Sequence, residues 1–259
     1  MNKNNLKVVI LAGGYGTRLG TLTKLKPKPM VDVCGKPIIE HIIQLYLKSG
    51  FSNFIICGGY KSEVIKDYFK KKFRKNVLLN NKNETFIKKN NFTIRIVNTG
   101  KNSLTGGRIK RIRKYVEKDA FFHMTYGDGL SNVNINKLTK FHLKNKKFAT
   151  VTTVKIQVPQ ERFGVVYFKN KNTVKEFVEK PDIKEIFING GFFVLNSKIF
   201  KFIKDDFTRW EAKPLERIAK QKQLAAFKHT GFWKCMDTIR DRKYLEQFKN
   251  KKFPWNTKN

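Results

Sequence analysis

The sequence predicts an α/β fold, a Rossmann-like single domain with a mixed, mostly parallel central sheet flanked by helices. Three observations carry this. Strand and helix signals alternate through the first half, the βαβ pattern of a parallel sheet covered on both faces. The first apolar run, Val8-Val9-Ile10, leads straight into a glycine-rich turn, LAGGYGTRL from Leu11 to Leu19. The second half adds paired short strands, so antiparallel strands should extend the same sheet.

Each element has a local reason. Lys7 to Leu11 is short and β-branched, the first strand. Lys36-Pro37 opens a helix: proline suits a first turn, Ile38, Ile39, Ile42, Ile43 and Tyr46 recur at helical spacing, and Gly50 is a natural C-cap. Asn53 to Cys57 is a buried strand, Ser62 to Lys71 a helix with Val64, Ile65, Tyr68 and Phe69 inward, and Phe92 to Val97 a strand. Gly107 to Lys118 is a very basic helix with Ile109, Ile112 and Tyr115 or Val116 on its apolar face. Ala120 to Tyr126 is a strand ending at Gly127-Asp128-Gly129. Asn136 to Lys144 is a helix and Ala149 to Ile156 a strand. Gly164 to Phe168 and Thr173 to Val178 flank KNKN as a hairpin, and Ile186 to Leu195 adds strand. Helices at Ser197 to Lys204 and Pro214 to Lys220, a strand Leu224 to Phe227, and a helix beginning near Thr238 complete the chain. Lys72 to Asn91 reads as a polar, irregular insertion. No repeat and no Ser/Gly-rich or Pro-rich linker divides the sequence.

Composition narrows the class. Of 259 residues, 40% are hydrophobic and 13% aromatic, enough for a core without metal or disulfide staples. Cys34, Cys57 and Cys235 form no C-x-x-C pair, which fits a reducing, cytoplasmic setting. The N-terminal apolar run is too short for a signal peptide, and no stretch is long enough to span a membrane. The formal net charge of +35 would ordinarily point to nucleic acid or a membrane surface. Here lysine dominates arginine, travels with asparagine in strings such as KNKNT and NNKNET, and is spread along the chain. Codon bias explains that pattern, so neither nucleic acid nor membrane is expected as a partner, although the charge would draw anionic substrates.

The turn after the first strand places backbone N–H groups at the carboxyl edge of the sheet, where anions bind. It is not the dinucleotide fingerprint: a G-x-G-x-x-G run starting at Gly14 needs glycine where Leu19 stands. It is not a P-loop, because no G-K-[ST] follows. A merely tight turn would explain the glycines, but Thr17-Arg18 adds a bidentate phosphate donor, and Lys24, Lys26 and Lys28 follow.

L-A-G-G-x-G-T-R-L followed by K-P-K-P-M resembles the signature of the sugar-phosphate nucleotidyltransferases. The resemblance continues through TGGRIKR (Thr105 to Arg111), TYGDG (Thr125 to Gly129), RFG (Arg162 to Gly164), EKP (Glu179 to Pro181), INGGFFVL (Ile188 to Leu195) and GFWKCMDTIRD (Gly231 to Asp241), covering nearly the whole chain. Together these motifs look like the branch that joins CTP to glucose 1-phosphate, giving CDP-glucose and pyrophosphate with Mg²⁺. Another nucleotide (UTP, dTTP, GTP) or another hexose 1-phosphate is the alternative, since cytosine enters through the resemblance alone.

The resemblance implies the nucleotide-diphospho-sugar transferase type of fold over residues 1–259, with a nucleotide-binding half to about residue 130 and a sugar-phosphate half beyond. It implies that Leu11, Ala12, Gly13, Gly14, Tyr15, Gly16 and Thr17 line the nucleotide with Ser103, Gly107, Arg108 and Gly127. Arg18 and Lys28 would hold the phosphates, with Lys26 a weaker candidate and Lys24 solvated loop charge. Asp128 and Asp237 would hold Mg²⁺, Asp237 having an N-cap of the last helix as its other reading. Gly164, Glu179, Lys180, Asn189 and Gly190 would receive the sugar phosphate, and Trp233 is either a stacking face or a packed core residue. The family's multimers, hexamers among them, imply a homo-oligomer. His41, His123, His142 and His229 have no metal spacing and read as structural, as do Arg111, Arg113 and Lys114 on a solvated helix face. Cys235 reads as a bystander.

Overall fold

The computed structural model describes residues 5–155, 165–168, 170, 172–178 and 186–256. Strand β1 (Lys7–Ala12) ends at the glycine turn, and a one-turn helix α1 (Leu22–Leu25) follows. The miniature ladder β2 (Asp32–Val33) and β3 (Lys36–Pro37) leads into α2 (Ile38–Lys48), with Pro37 as its N-cap and Gly50 just past its end at φ 87°. Next come β4 (Asn53–Gly58), α3 (Ser62–Lys72), β5 (Val77–Asn80), β6 (Glu84–Lys89) and β7 (Phe92–Asn98). The basic helix is broken at Ile112 into α4 (Thr105–Arg111) and α5 (Arg113–Val116). Then follow β8 (Phe122–Tyr126), β9 (Gly129–Ser131), α6 (Ile135–Asn145), β10 (Ala149–Lys155), the antiparallel pair β11 (Val165–Phe168) and β12 (Val174–Val178), and β13 (Phe187–Leu195). Ser197–Phe202 forms 3-10 turns where a helix was expected, and α7 (Lys213–Lys220), β14 (Leu224–His229), β15 (Trp233–Cys235) and α8 (Ile239–Glu246) complete the order.

Nine strands form one sheet in the order β14-β10-β13-β8-β1-β4-β7-β6-β5. β1 lies parallel to both β4 and β8, β4 parallel to β7, and β10 parallel to β14, while β13 and β6 run against their neighbours. The chain leaves β1 towards β4 on one side and returns as β8 on the other. The carboxyl end of β1 is therefore a topological switch point, where open α/β sheets bind ligands.

Period-two alternation divides the core between the two faces. Val8, Ile10, Phe54, Ile56, Ile94 and Ile96 point to the layer made by α2, α3, α6 and α8, with Ile38, Ile65, Leu138 and Leu245 opposite them. Val9, Leu11, Ile55, Cys57, Phe122 and Met124 point to the other layer, meeting Ile109, Ile112 and Val116 from α4 and α5, Phe200, Trp210 and Ile218. Each such buried apolar side chain contributes about 1.5–3 kcal/mol over exposure, so the two faces of the sheet's centre carry much of the burial that holds the fold.

The expectation of an irregular insertion from Lys72 to Asn91 is corrected: β5 and β6 add two antiparallel strands at the sheet's edge. Thr85 and Ile87 are fully buried while Lys88 and Lys89 face solvent. Arg95 lies 4.1 Å over the Phe86 ring and pairs with Glu84 at 3.1 Å. An edge ribbon needs few apolar positions, so its signal is submerged among lysines and asparagines.

Candidate active site

The glycine turn lines a cavity of about 390 Å³ at the carboxyl end of β1. Leu11, Ala12, Gly13, Gly14, Tyr15, Gly16, Thr17 and Arg18 line it with Lys28, Ser103, Arg108, Gly127, Asp128 and Asp237. Gly16 sits at φ 66° and opens the 3-10 turn Thr17–Leu19, and a Cβ there would come 3.0 Å from Lys28 Cβ. The turn is held from beneath by Gly127 N–H donating to the Leu11 carbonyl at 2.9 Å and Tyr60 N–H donating to the Gly13 carbonyl at 3.1 Å. Tyr15 reaches across the mouth, its hydroxyl donating to Asn102 Oδ1 at 2.9 Å.

Two strand ends bring the distant aspartates together. β15 pairs antiparallel with β9, Cys235 opposite Gly129, and Met236 N–H donates to the Asp128 carbonyl at 2.9 Å. Asp128 and Asp237 thus project side by side. Lys28 opens a 3-10 turn bracketed by Pro27 and Pro29, and Pro29 packs on Gly127, where a Cβ would be 2.9 Å away. That turn aims Lys28 Nζ between the carboxylates, 2.6 Å from Asp128 Oδ2 and 2.6 Å from Asp237 Oδ1. Arg18 Nη2 lies 3.1 Å from the same Asp237 oxygen, with its side chain 71% exposed. Burial works to lower the Lys28 ammonium, but the charge and hydrogen bond of Asp128, with Asp237 behind them, outweigh it and hold the group above its ordinary value. Burial likewise works to raise Asp237, and Lys28 and Arg18 outweigh it, so this carboxyl lies below its ordinary value.

Asp237 is free of the capping role. Thr238 is the N-cap of α8, in a reciprocal box with Asp241: Asp241 N–H donates to Thr238 Oγ1 at 3.2 Å and Thr238 N–H to Asp241 Oδ2 at 2.8 Å. Asp128, Cys235 and Asp237 each offer one ligand atom within 4.8 Å of the others. The carboxylates suit a hard divalent cation, and the Lys28 ammonium already shows that positive charge fits between them. The Cys235 thiol is pushed up by burial and by Asp128, so it is poorly suited to such an ion.

A second cavity of about 290 Å³ adjoins the first and shares Arg18, Tyr126, Asp128 and Asp237 with it. Asn189, Gly190, Gly191 and Trp233 line its far side. Gly190 lies against β10, where a Cβ would meet the Thr152 carbonyl at 3.0 Å, and Gly191, at φ 81°, makes room for the Tyr126 ring. Trp233 is half-buried and donates its indole N–H to the Gly190 carbonyl at 2.8 Å, fixing it as a wall of this cavity. Gly164, Glu179 and Lys180 lie outside the described residues.

Of the expected nucleotide ligands, Gly107 stands apart from the cavity and Arg108 borders it. Gly107 does not join the cavity: the backbone of Asp206 packs against it so closely that a Cβ would be 2.3 Å away. The first amides of α4 are engaged, Gly106 and Gly107 N–H both donating to the Thr208 carbonyl. Arg108 borders the cavity but is only 4% exposed, and its guanidinium donates inward. Its partners are the carbonyls of Gly13 at 2.8 Å, Gly58 at 3.2 Å, Gly100 at 2.8 Å and Lys101 at 3.4 Å, and Thr99 Oγ1 at 2.9 Å. It is a buried bracket that ties the ends of β1, β4 and β7 beneath the glycine turn. A Cβ on Gly13 would lie 2.1 Å from that guanidinium, which explains the glycine.

The remaining sequence readings find ordinary partners. Lys26 pairs with Asp32 at 2.5 Å, Arg111 with Asp206, and Arg113 with Glu117. His41, His123, His142 and His229 bond to Val33, Thr139, Thr150 and Ser131 respectively. No helix among the described residues is long and apolar enough to cross a membrane.

Comparison with known proteins agrees with this geometry. The sequence profile described as "Nucleotidyl transferase" matches residues 7–241. Two curated proteins named glucose-1-phosphate cytidylyltransferase, from Salmonella typhimurium and Salmonella typhi, are each 45% identical over 97% of this chain and 99% of their own. Among solved structures, HddC from Yersinia pseudotuberculosis complexed with GMP-PN superposes with a TM-score of 0.66 at 25% identity, covering 93% of this chain and 98% of that one.

Proposed function

The chain belongs to the nucleotidyl transferase family, and we propose that it transfers a cytidylyl group from CTP to α-D-glucose 1-phosphate, giving CDP-glucose and pyrophosphate. The observation that carries the reading is the cluster of Arg18, Lys28, Asp128 and Asp237 at the junction of two adjoining cavities. Two anionic reactants need positive charge and alignment rather than a covalent nucleophile. The choice of cytosine and glucose rests on the relatives' names.

The nucleotide occupies the first cavity, with Leu11 to Thr17, Ser103 and Gly127 around it and Arg108 holding the turn beneath. The hexose phosphate occupies the second, against Asn189 and Gly190, with Gly164, Glu179 and Lys180 as further ligands. A phosphate oxygen of the sugar attacks the α-phosphorus of CTP, forming the new phosphoanhydride. The bond from that phosphorus to the β-phosphate oxygen breaks in line, and pyrophosphate carries the electron pair away. Arg18, whose side chain is largely exposed, closes on the β- and γ-phosphates. Lys28 turns from the aspartates to the same oxygens and steadies the leaving group. Family members use a divalent metal. Asp128 and Asp237 would hold it here, as Mg²⁺, and when bound it supplies charge neutralisation at the reacting phosphates.

We further propose a homo-oligomer located in the cytoplasm, with no nucleic-acid partner; light scattering reads the assembly. The deciding assay mixes the protein with glucose 1-phosphate, Mg²⁺ and each nucleoside triphosphate in turn and follows pyrophosphate. Fastest release with CTP is expected. Faster release with UTP, dTTP or GTP would overturn the base assignment, and no release with any would overturn the enzyme.

A further inference from the structure

Glu211 belongs to none of the sequence motifs, yet it ties the two cavities together. It follows Trp210, which is fully buried, and precedes α7. Its carboxylate is held from both sides: Tyr126 Oη donates to Oε1 at 2.5 Å and Thr105 Oγ1 donates to Oε2 at 2.6 Å. Thr105 lines the first cavity, and Tyr126 lines both. Thr105 Oγ1 is itself fixed by Trp210 N–H at 2.9 Å. Beside it on the wall of the second cavity, the Tyr126 ring packs against Gly191, where a Cβ would lie 2.8 Å away, and Asn189 Oδ1 accepts Gly191 N–H at 2.8 Å.

The carboxylate sets the polarity of this chain. It can only accept, so both hydroxyls must donate to it. Tyr126 Oη is thereby anchored and its ring held against Gly191, whose N–H fixes the Asn189 amide oxygen. One charged group thus steadies a wall of the second cavity without lining that cavity. Neither hydroxyl proton, of Thr105 or of Tyr126, has another acceptor among the hydrogen bonds of the described residues.

We propose that Glu211 is a positioning residue for the hexose phosphate, acting through Tyr126 to hold Asn189 in its sugar-binding orientation. This rests on the reading of the second cavity as the sugar-phosphate site. Glu211→Leu is the test, since it keeps similar bulk but removes both acceptor oxygens. Expected are a rise of about tenfold in KM for glucose 1-phosphate, with kcat at saturation and KM for CTP within about threefold of wild type. Tyr126→Phe should raise the same KM, and the double variant should be no worse than the poorer single, the sign of one shared linkage. An unchanged sugar KM, an equal rise in both KM values, or additive effects would overturn the proposal. So would a fall in kcat that tracks a lowered melting temperature, which marks a merely structural role. Wild-type pyrophosphate release reads the functional assignment separately. If that fails, calorimetric binding of glucose 1-phosphate still decides: about tenfold weaker binding by Glu211→Leu supports the positioning role, and equal binding, or none by either protein, refutes it.

Discussion

Removing the Lys28 ammonium is the sharpest perturbation the site offers. Lys28→Met keeps a stem of similar length beside Gly16 and deletes a charge 2.6 Å from each of two carboxylates. Breaking a buried pair by removing one partner costs about 3–5 kcal/mol. Here the Asp128 and Asp237 side chains are 24% and 31% exposed, and Arg18 still reaches Asp237 at 3.1 Å. Water and Arg18 therefore recover roughly half, leaving about 1.5–2.5 kcal/mol, or a fall in melting temperature of roughly 3–8 °C for a domain of this size. Divalent cation binding to the nucleotide-free protein should move the opposite way. In the wild type a cation has to displace the ammonium, whereas in the variant it meets open carboxylates. Mn²⁺ should therefore bind Lys28→Met about tenfold more tightly, as read from the free-ion electron paramagnetic resonance signal, and should restore the lost melting temperature. Turnover should fall about a hundredfold or more, because the triphosphate loses its lysine. Mn²⁺ binding no tighter than in the wild type, or a melting temperature that the ion does not restore, would refute the competition between ammonium and metal.

The neighbouring glycines should behave unlike each other. Gly13→Ala drives a methyl into the Arg108 guanidinium and should cost about 1–3 kcal/mol in urea unfolding, whereas Gly14→Ala has nothing within 4 Å and should be near neutral in stability. Arg108→Met removes the donor shared by the Gly13, Gly58 and Gly100 carbonyls; Gly13 keeps Tyr60 N–H and Gly58 keeps Thr99, so the expected loss is about 1–3 kcal/mol, with weakened nucleotide binding by calorimetry; an unfolding midpoint within error of wild type would count against the bracket. The ion cluster also sets a pH window. Asp237 lies below 3.8 in the folded chain, so its stabilisation is present above that value and is lost as pH falls through the lower folded one. Lys28 lies above 10.5, so its contribution is complete below that value and is lost as pH rises through the higher folded one. Melting curves of wild type and Asp237→Asn should converge as pH falls below 3.8; a constant gap would contradict this.

The first half of the fold is legible because its strands are buried on both faces and its helices keep one apolar stripe. Ile38, Ile39, Ile42 and Ile43 need no context to be read as a helix against a sheet. The edge ribbon β5–β6 is not, since one buried pair, Thr85 and Ile87, is all the sheet demands of β6. The glycine turn is legible as an anion loop from residue types alone. The convergence of Arg18, Lys28, Asp128 and Asp237 is not, because it depends on the β9–β15 ladder and on a proline-bracketed turn, neither of which has a periodic signature. Arg108 is half legible for a related reason. Arginine in a basic helix beside a phosphate loop reads as a cavity residue, but its bonding to four backbone carbonyls becomes visible only when the ends of β1, β4 and β7 are side by side. Glu211 carries no sequence signal: it is one acid among the charged residues around Trp210, and its two hydroxyl partners lie 85 and 106 positions away.

The charge of the site is at odds with the charge of the chain. The protein carries a formal +35, yet Arg18 and Lys28 face Asp128 and Asp237, so the four groups sum to zero where two anions are to meet. Surplus lysines elsewhere can gather anionic substrates, but beyond about 8–10 Å salt screens their field and it cannot align a reacting phosphate. At contact range a neutral cluster offers a polyphosphate no net attraction while the ammonium stays locked between the aspartates. A divalent cation arriving with the nucleotide would change both terms together. Held by Asp128 and Asp237, it would raise the cluster to a formal +2 and leave Lys28 free for the phosphate oxygens. On the proposed mechanism the two carboxylates that engage Lys28 thus make its release conditional on the metal–nucleotide pair, and nucleotide without metal should find the lysine still engaged.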